Sequence, residues 1–586
     1  MQGCRTQKRQ PCRIFFTITL PHIMRRLLLL LCIAPVALAA KSTLFSHGKS
    51  QYVICLDADA PRAVHTAATE LQAYLRQISG ATLPIRMGGT EPRQAIYIMV
   101  RAREGQSDEA FSYQADGHSI RISGNSPRGA MYGVYAFLEN EFGVRWYAPD
   151  LTVVPRRSKW QFDRFKHSEA PALKYRFVQY HHADNDKAWC AHNRINTLWS
   201  ADSNKYGGME AYWSAHTMTQ FVSAKEFFNT HPEYFAERQG RRIPNGQLCL
   251  TNPEVLKICT ERLLDIMKKK PEYFAYSLSQ ADNEEYCQCE KCTLLAQRYG
   301  AQSGVVLWFV NQVADIVARH YPDKYVGTFA YRYTRTVPQG IRPHKNVIIR
   351  LCSIECCFAH PLQAPCNSDF IRDLKAWGKI APQLFIWDYV VNFQQYMAPF
   401  PNFGVLADNI RTYRDNAAIG VHEEGQYETD GGEFAELRAW VLARLLWNPE
   451  QDTDALVSEF IRAYYGKAAR HIQQYFDLVQ HLVRPDHHIG IYIRDDNAIY
   501  TEAFIGKGNA LLDKARAAVG DDAAMAHRVD RVRMQLMYLH AMRKPAEAAA
   551  DGTADELFSL MRRHHYKAGE GREIEETISE LRKKAE

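Results

Sequence analysis

Hydrophobic and polar positions follow three successive patterns along the chain. Between residues 45 and 150, short apolar runs such as 52–56 and 95–100 alternate with amphipathic stretches such as 63–78. Apolar side chains at every second position predict strands, and apolar side chains spaced by three or four positions predict helices. Because the two patterns take turns, we expect a small α/β domain over residues 40–160.

The second pattern consists of eight apolar runs of strand length, most of them separated by helical patterns. The runs are 172–180, 194–199, 247–251, 274–280, 325–331, 346–352, 383–388 and 418–423, and the clearest helical patterns are 254–270, 302–320 and 369–379. Eight strands with crossover helices predict a (β/α)8 TIM-type barrel over residues 170–450. An open α/β sheet is the alternative, since 181–193 and 332–345 show no clear helix.

The third pattern is almost wholly helical. Residues 451–586 are rich in Ala, Arg, Glu and Leu, with few Gly and Pro interruptions. They predict a helical C-terminal domain that packs on the barrel.

Six of the seven net positive charges belong to the first 39 residues, which hold six Lys or Arg and no acid. Met24-Arg25-Arg26 precedes an apolar run from 27 to 35 and an Ala-Leu-Ala step at 37–39. These are the parts of a secretory signal peptide, and the apolar run is too short to span a membrane. We therefore expect a start at Met24 and a periplasmic or secreted protein. The remaining charge of +1 leaves no basic surface that would indicate nucleic-acid binding.

Eleven of the 14 cysteines lie beyond this leader, so at least one of them is unpaired. They include Cys287, Cys289 and Cys292, and also Cys356, Cys357 and Cys366. A structural zinc site needs four ligands, and the first cluster supplies three. Disulfides or free buried thiols are therefore the favoured interpretation, zinc is the alternative, and no metal or cofactor enters the predicted site.

Acidic residues follow four of the expected barrel strands. They are Asp282, Glu284 and Glu285 after the fourth run, Glu355 after the sixth, Asp388 at the end of the seventh, and Glu423 and Glu424 at the end of the eighth. Functional residues of a barrel gather at the C-terminal ends of its strands. Crowded carboxyl groups have pKa values that move apart, which is what a glycosidase needs for one acid and one base or nucleophile. Helix caps and surface ion pairs are the alternative role for each acid taken alone.

Aromatic and polar side chains near the same strand ends are candidates for sugar binding. Flat rings stack on sugars, and amide, guanidinium and imidazole groups bind hydroxyls. The candidates are Trp213, Tyr331, Trp387, Tyr389, Arg194, Asn196, His216, Arg332, Asp282 and Glu423; Trp189 and Trp199 are two further rings of this kind. The motifs G-x-S-x-G, H-E-x-x-H and the P-loop are absent from the sequence, which argues against a serine hydrolase, a zincin and an NTPase.

Several motifs make the chain resemble a known family. Residues 234–236, 248–253, 279–292, 354–358 and 386–390 resemble the exported bacterial family of domain of unknown function 4838, which is frequent in bacteria that degrade polysaccharides. The resemblance spans roughly residues 170–450 and implies a glycoside-hydrolase-like protein.

The preceding segments 129–135 and 143–147 are similar to the N-terminal domain of α-glucuronidases and β-hexosaminidases. In the α-glucuronidases the acid follows strand four in an Ala-Asp-Ser-Glu-like segment, which 281–284 matches with one change. That likeness implies Glu284 as general acid, with Glu355 or Asp388 as base by position alone. The hexosaminidases use an adjacent Asp-Glu pair, whereas one residue separates Asp282 from Glu284 here.

The sequence therefore predicts an exported glycoside hydrolase that acts on oligosaccharides derived from polysaccharides or glycans, with Glu284, Asp388 and Glu355 as catalytic residues. A non-catalytic carbohydrate-binding protein on the same fold is one alternative. A polysaccharide lyase is another, since His216 and Arg332 could serve as base and uronate-binding group.

The leader generates a first prediction. If it is a signal peptide, the natively produced protein begins near Ala40, because cleavage follows the small-residue step. N-terminal sequencing measures this directly, and a mature protein that still carries Met24 would contradict it.

Overall fold

The computed structural model describes residues 41–197 and 203–586. The expected leader and Trp199 lie outside these residues. In the described part of the chain, none of the helices combines the length and the apolar character that a membrane crossing requires.

A six-stranded mixed sheet precedes the barrel. In spatial order its strands are Arg164–Glu169, Phe111–Asp116, Ile120–Gly124, Ala95–Val100, Val53–Leu56 and Ile85–Met87. Helices Arg62–Ser79 and Pro127–Phe137 pack together and bury apolar faces in the core. The expected alternation of strands and helices is therefore present. Two small ribbons pair Ser42–Ser46 with Lys159–Phe162 and Arg145–Ala148 with Leu151–Val153.

The central element is a parallel sheet with seven strands in the described residues. We label them β1 (Tyr175–Gln179), β2 (Tyr212–Trp213), β3 (Ala275–Ser277), β4 (Tyr325–Ala330), β5 (Val347–Cys352), β6 (Gln383–Tyr389) and β7 (Ala418–Glu424). Their spatial order is β1-β7-β6-β5-β4-β3-β2, so the first strand pairs with the last. This is the cyclic strand order of a TIM-type barrel, with β1 and β2 at the two ends of the paired sheet in the described residues, and the predicted TIM-type fold is confirmed.

One of the eight expected strands, 247–251, is wrong, and a second, 194–199, lies partly outside the described residues. Residues 247–251 form a loop in which Leu248 makes one isolated bridge to Phe235. Residues 194–197 lie beside β1 without strand pairing: the Asn196 side chain accepts a hydrogen bond from Arg176 N at 3.0 Å, and Glu210 N donates to Asn196 O at 2.8 Å. The short strand β2, which the sequence pattern does not reveal, takes the place next to β3.

Helices fill the connections between the strands. Around the barrel they are His181–Asn185, Lys187–His192, Met218–Phe221, Ala224–Phe227, Pro253–Lys269, Glu290–Tyr299, Gln302–His320, Ser368–Ile380, Phe403–Asp415 and Ala435–Trp447. Local chemistry fixes where they begin: the Asn252 side chain accepts hydrogen bonds from Glu254 N and Val255 N, and Pro253 occupies the first helical position.

The C-terminal region is helical, as expected. Its helices are Thr453–Tyr465, Ala469–Gln480, Glu502–Val519, Ala523–Arg543, Pro545–Ala550, Thr553–His564 and Ile574–Ala585. Loops of this region reach back to the segment that follows β6. Phe393 N donates to Ile491 O at 2.9 Å, and Glu570 N donates to Phe393 O at 2.9 Å. The C-terminal region therefore covers one side of the barrel mouth.

A buried ion-pair network joins the six-stranded sheet to the barrel. The carboxylate of Glu109 lies 2.6 Å from Nη2 of Arg176 on β1 and 2.7 Å from Nε of Arg128. Asn196 Nδ2 donates to the same carboxylate at 3.0 Å. Burial alone raises the pKa of Glu109, but the two guanidinium groups outweigh it and the pKa is lowered.

This network generates a second prediction. Glu109→Ala leaves the buried Arg176 guanidinium without its counter-ion and Arg128 with Glu210 alone, and should reduce the free energy of unfolding by about 3–5 kcal/mol. Denaturant titration checks it. Asp57→Ala is the matched control, since it breaks the exposed pair with Arg101 and should cost less than about 1 kcal/mol. Equal effects of the two substitutions would contradict the role of burial.

Candidate active site

A cleft of about 430 Å³ opens at the C-terminal ends of the barrel strands. Aromatic side chains form much of its lining: Tyr175, Phe177, Tyr212, Tyr331, Trp387, Tyr389, Phe393, Tyr427 and Tyr492. The cleft is also lined by the acids Asp282, Glu424 and Glu570 and by the nitrogen-containing side chains of Arg350, His216 and His422. A cleft with many rings and a few converging polar groups is the usual form of a small-molecule site.

Glu424 ends β7 and is the most buried acid of the cleft lining. Its Oε2 accepts a hydrogen bond from Trp387 Nε1 at 2.7 Å. Burial is the largest influence and raises the pKa of Glu424 to about 8, with the charges of Glu570 and Asp282 adding to the shift. Glu424 therefore holds a proton at neutral pH, which a general acid must do.

Asp282 lies in the loop after β3 and faces the same cleft. Its Oδ1 accepts a hydrogen bond from the Tyr331 hydroxyl at 2.9 Å, and Arg332 Nε donates to that hydroxyl oxygen at 2.8 Å. The Tyr331 phenol thus connects a carboxylate to a guanidinium. This chain of hydrogen bonds orients Asp282 as an acceptor at the mouth.

The third carboxyl group, Glu570, comes from the C-terminal region. Its Oε1 accepts a hydrogen bond from the Tyr427 hydroxyl at 2.9 Å. Burial raises its pKa, and the charges of Glu428 and Asp282 raise it further. Two of the three acids therefore lie at barrel strand ends, and the third belongs to the C-terminal region that forms one wall of the cleft.

The floor of the cleft holds a buried guanidinium. Arg350 on β5 lies between the rings of Tyr212 and Trp387, at 4.2 Å and 4.3 Å from their centroids. Its Nη2 lies 2.9 Å from Nδ1 of His422, and His422 Nε2 lies 2.6 Å from Gln179 Oε1. The guanidinium can only donate, so Nδ1 accepts and Nε2 carries the proton. Burial and the Arg350 charge lower the pKa of His422 far below its usual value, which keeps the imidazole neutral.

Five of the sequence-predicted residues meet in this cleft: Asp282, His216, Tyr331, Trp387 and Tyr389. His216 is held by its backbone N–H, which donates to Ser279 Oγ at 2.9 Å, and by Nδ1, which donates to Gln280 O at 2.7 Å. Because Nδ1 is occupied by this hydrogen bond, Nε2 is the ring nitrogen left to contact a ligand.

Glu284 and Glu355 do not contribute to the cleft lining. The Glu284 side chain is 62% exposed, and its Oε1 lies 3.9 Å from Nη1 of Arg332. Glu355 is 44% exposed and pairs with Arg335. Both acids therefore take part in surface ion pairs, the alternative role considered for them, and their catalytic role stays a prediction.

Asp388 and Glu423 lie on the opposite face of the strands from the cleft. They are neighbours in register on β6 and β7, and the flanking Trp387, Tyr389 and Glu424 are the residues that face the cleft. Both are buried; Ser353 Oγ donates to Asp388 Oδ1 at 2.5 Å. Burial raises the pKa of both carboxyl groups, and the charge of Asp388 raises that of Glu423 further. The structure therefore does not bring either acid to the mouth.

Arg194, Asn196 and Trp213 also lie away from the cleft lining. Arg194 Nη2 lies 2.5 Å from Oε2 of buried Glu139, whose pKa falls to about 2 because Arg194 and other guanidinium groups overcome the effect of burial. Trp213 stacks on Phe221 at 6.1 Å between ring centroids. Arg194 and Asn196 are thus part of the buried polar contacts between the sheet and the barrel.

Other cleft residues carry little or no signal in the sequence pattern. Arg350 and His422 become identifiable only once the phase of each strand is known, because cleft-facing side chains recur at every second position. The same phase is needed to choose Glu424 over Glu423, which the sequence places together at one strand end. Glu570 has no such signal, since it lies far along the chain in a region of helical pattern.

Two groups of side chains in the described residues could hold a metal ion, and both lie outside the cleft lining. One consists of Cys249, Cys287, Cys289 and Cys292, and the other of Cys357, His360 and Cys366.

With this geometry established, comparison with known proteins identifies the family. The chain belongs to the family described as Domain of unknown function (DUF4838), which matches residues 146–477. This range contains all seven barrel strands, and the resemblance seen in the sequence motifs is confirmed. No curated protein matches the chain significantly.

Solved structures with a similar fold include glycoside hydrolases. CpGH89 from Clostridium perfringens, in complex with its substrate GlcNAc-alpha-1,4-galactose, is 12% identical, with 85% of this chain and 65% of that chain covered and a TM-score of 0.53. The chitobiase FjGH20 of Flavobacterium johnsoniae is 11% identical, with coverages of 93% and 97% and a TM-score of 0.45. A GH138 enzyme targeting pectin rhamnogalacturonan II is 11% identical, with coverages of 91% and 78% and a TM-score of 0.44. The likeness to CpGH89 supports the barrel fold.

Proposed function

We propose that the protein is a glycoside hydrolase in which Glu424 is the general acid and Asp282 is the base or nucleophile. The observation that carries the proposal is the meeting of Glu424, Asp282 and Glu570 in one aromatic cleft at the strand ends. Hydrolysis of a glycosidic bond requires one protonated and one acceptor carboxyl group on either side of the bond.

Glu424 suits the acid role because its environment keeps the proton on it. It would transfer this proton to the glycosidic oxygen as the bond to the anomeric carbon breaks. Asp282 would then either activate a water molecule or bond to the anomeric carbon directly. The Tyr331 hydroxyl, which donates to Asp282, holds that carboxylate in place.

The rings and the polar floor suit a sugar ligand. Trp387, Tyr389 and Tyr331 offer flat apolar faces, and His216 Nε2 and the Arg350 guanidinium offer polar contacts to hydroxyl or carboxylate oxygens. The leader supports export, so the substrate would be an extracellular or periplasmic oligosaccharide. Glucuronides and N-acetylhexosaminides are the two substrate classes that the N-terminal resemblance implies.

The third prediction tests the two catalytic assignments. Glu424→Gln and Asp282→Asn should each lower the hydrolysis rate of oligosaccharides by about 10²–10⁴-fold, with the fold retained. Glu424→Gln should lose much less on aryl glycosides with good leaving groups, which need little protonation. The assay uses a panel of aryl glucuronides, aryl N-acetylhexosaminides and oligosaccharides.

Glu261→Gln is the matched control for this test, because Glu261 is exposed on helix Pro253–Lys269. Full activity of Glu424→Gln together with loss in Glu284→Gln would overturn the assignment in favour of the acid implied by the resemblance. An ultraviolet-absorbing unsaturated product would instead identify a lyase.

The fourth prediction concerns pH. Activity that depends on protonated Glu424 should fall as pH rises through about 8, the pKa of that group. The hydrogen bond from Trp387 stabilises the charged form and so lowers this pKa, which means that Trp387→Phe should move the alkaline limb to higher pH. The pH dependence of kcat/KM measures both. Trp308→Phe, on helix Gln302–His320, should leave the limb in place; an unmoved limb in Trp387→Phe would contradict the assignment.

A further inference from the structure

Four cysteine thiols meet beneath the loop that carries Asp282. Cys249 belongs to the segment 247–251, and Cys287 and Cys289 precede helix Glu290–Tyr299, which contains Cys292. None of the four forms a disulfide, and all four are buried. Cys249 is the fourth thiol that the sequence spacing alone does not connect to the other three.

The distances between their sulfur atoms are compatible with a tetrahedral metal site. All four Sγ atoms lie within 4.8 Å of one another, with Cys249 Sγ at 3.7 Å from Cys289 and 3.9 Å from Cys292. Zinc–sulfur bonds of about 2.3 Å in a regular tetrahedron place the sulfur atoms about 3.8 Å apart. The two distances from Cys249 match this spacing, and the 4.8 Å limit on all pairs keeps the four sulfur atoms close enough to share a single ion.

The surroundings supply hydrogen-bond donors to the sulfur atoms. Glu237 N lies 3.4 Å and Arg242 Nη1 lies 3.6 Å from Cys287 Sγ, and Thr251 Oγ1 lies 3.2 Å from Cys292 Sγ. Such donors stabilise thiolates, and the Arg242 charge offsets part of the negative charge that four thiolates retain around a divalent ion. The sulfur atoms thus lie in a pocket prepared for their charged form.

We propose that Cys249, Cys287, Cys289 and Cys292 bind one Zn²⁺ ion in a structural site. Four thiolates fill the tetrahedral shell and leave no open position for water or substrate, so the ion has no direct part in hydrolysis. Binding releases the thiol protons to solvent, and its free energy stabilises the folded state. The proposal does not depend on the proposed glycosidase activity.

The site would hold the Asp282 loop against the barrel. Gln247, two residues before Cys249, bonds to the segment that precedes Cys287. Its backbone N donates to Glu285 O at 3.0 Å. Its side chain donates to Ala281 O and accepts from Ala281 N, both at 2.9 Å. The segments that the ion would join are therefore the same segments that Gln247 links to the start of the Asp282 loop. Metal binding would restrict this loop and the direction of Asp282.

The second group of possible ligands does not support a similar site. Cys357, His360 and Cys366 supply three ligands, and Cys366 is exposed. The proposal therefore assigns zinc to the first group alone, and the second group should hold none.

The fifth prediction is the metal content of the full-length protein, purified without chelator and measured by plasma mass spectrometry. We expect one zinc per chain in the wild type, a small fraction of that in Cys249→Ser, and full zinc in the matched control Cys259→Ser, whose thiol is buried in helix Pro253–Lys269. Cys249→His, which restores a zinc ligand, should regain the metal. Wild-type protein without zinc, or zinc that persists in Cys249→Ser, would overturn the proposal.

A second measurement covers the case in which Cys249→Ser fails to fold. Wild-type protein is stripped of metal under reducing conditions and titrated with Co²⁺, and tetrahedral thiolate coordination should give intense visible and near-ultraviolet absorption that Zn²⁺ displaces. Alkylation in denaturant followed by peptide mass mapping then counts free thiols. Disulfides among these four cysteines in the native protein, or weak absorption typical of octahedral Co²⁺, would contradict the proposal.

Discussion

Strand alternation is the constraint on which the candidate site depends. Successive side chains of a strand point to opposite faces, so on β7 Glu424 faces the cleft while Glu423 faces the helix layer. The paired strand β6 divides Trp387 and Asp388 in the same way. An acid at a barrel strand end is therefore available for chemistry only when its position has the right parity, and a shift of one residue would exchange the two sets.

Burial of charge takes a different form in each part of the molecule. Glu109 and Glu139 are buried against guanidinium groups, so they remain ionised and join the sheet to the barrel. Asp388 and Glu423 are buried together without such a partner in the described residues, which favours the protonated form. Glu424 lies between these extremes, half-buried and bonded to an indole N–H. Its place at the cleft makes this intermediate state useful to a general acid.

Much of the fold could be predicted from the local pattern of apolar residues. The site could not, because it depends on which face of each strand points into the cleft. Six of the expected barrel strands occur. They could be recognised because strands buried on both faces, such as 346–352, have nearly continuous apolar sequences. The run at 247–251 also has apolar residues at its centre, but its cysteine belongs to a side-chain cluster and not to the sheet. Tyr331 and Trp387 were identifiable as aromatic residues near strand ends. Arg194 has the chemistry of a ligand-binding residue, and only packing reveals that Glu139 is its partner.

The position of Glu570 has a consequence for the order in which the protein becomes complete. The chain is synthesised from its N-terminus, so every barrel strand has been made long before the residues that form the far wall of the cleft. Ile491, Tyr492 and Glu570 can dock only on a barrel whose segment after β6 is already in place. The cleft can therefore be completed only late in synthesis, and a nascent barrel has a mouth that lacks the wall formed by Ile491, Tyr492 and Glu570.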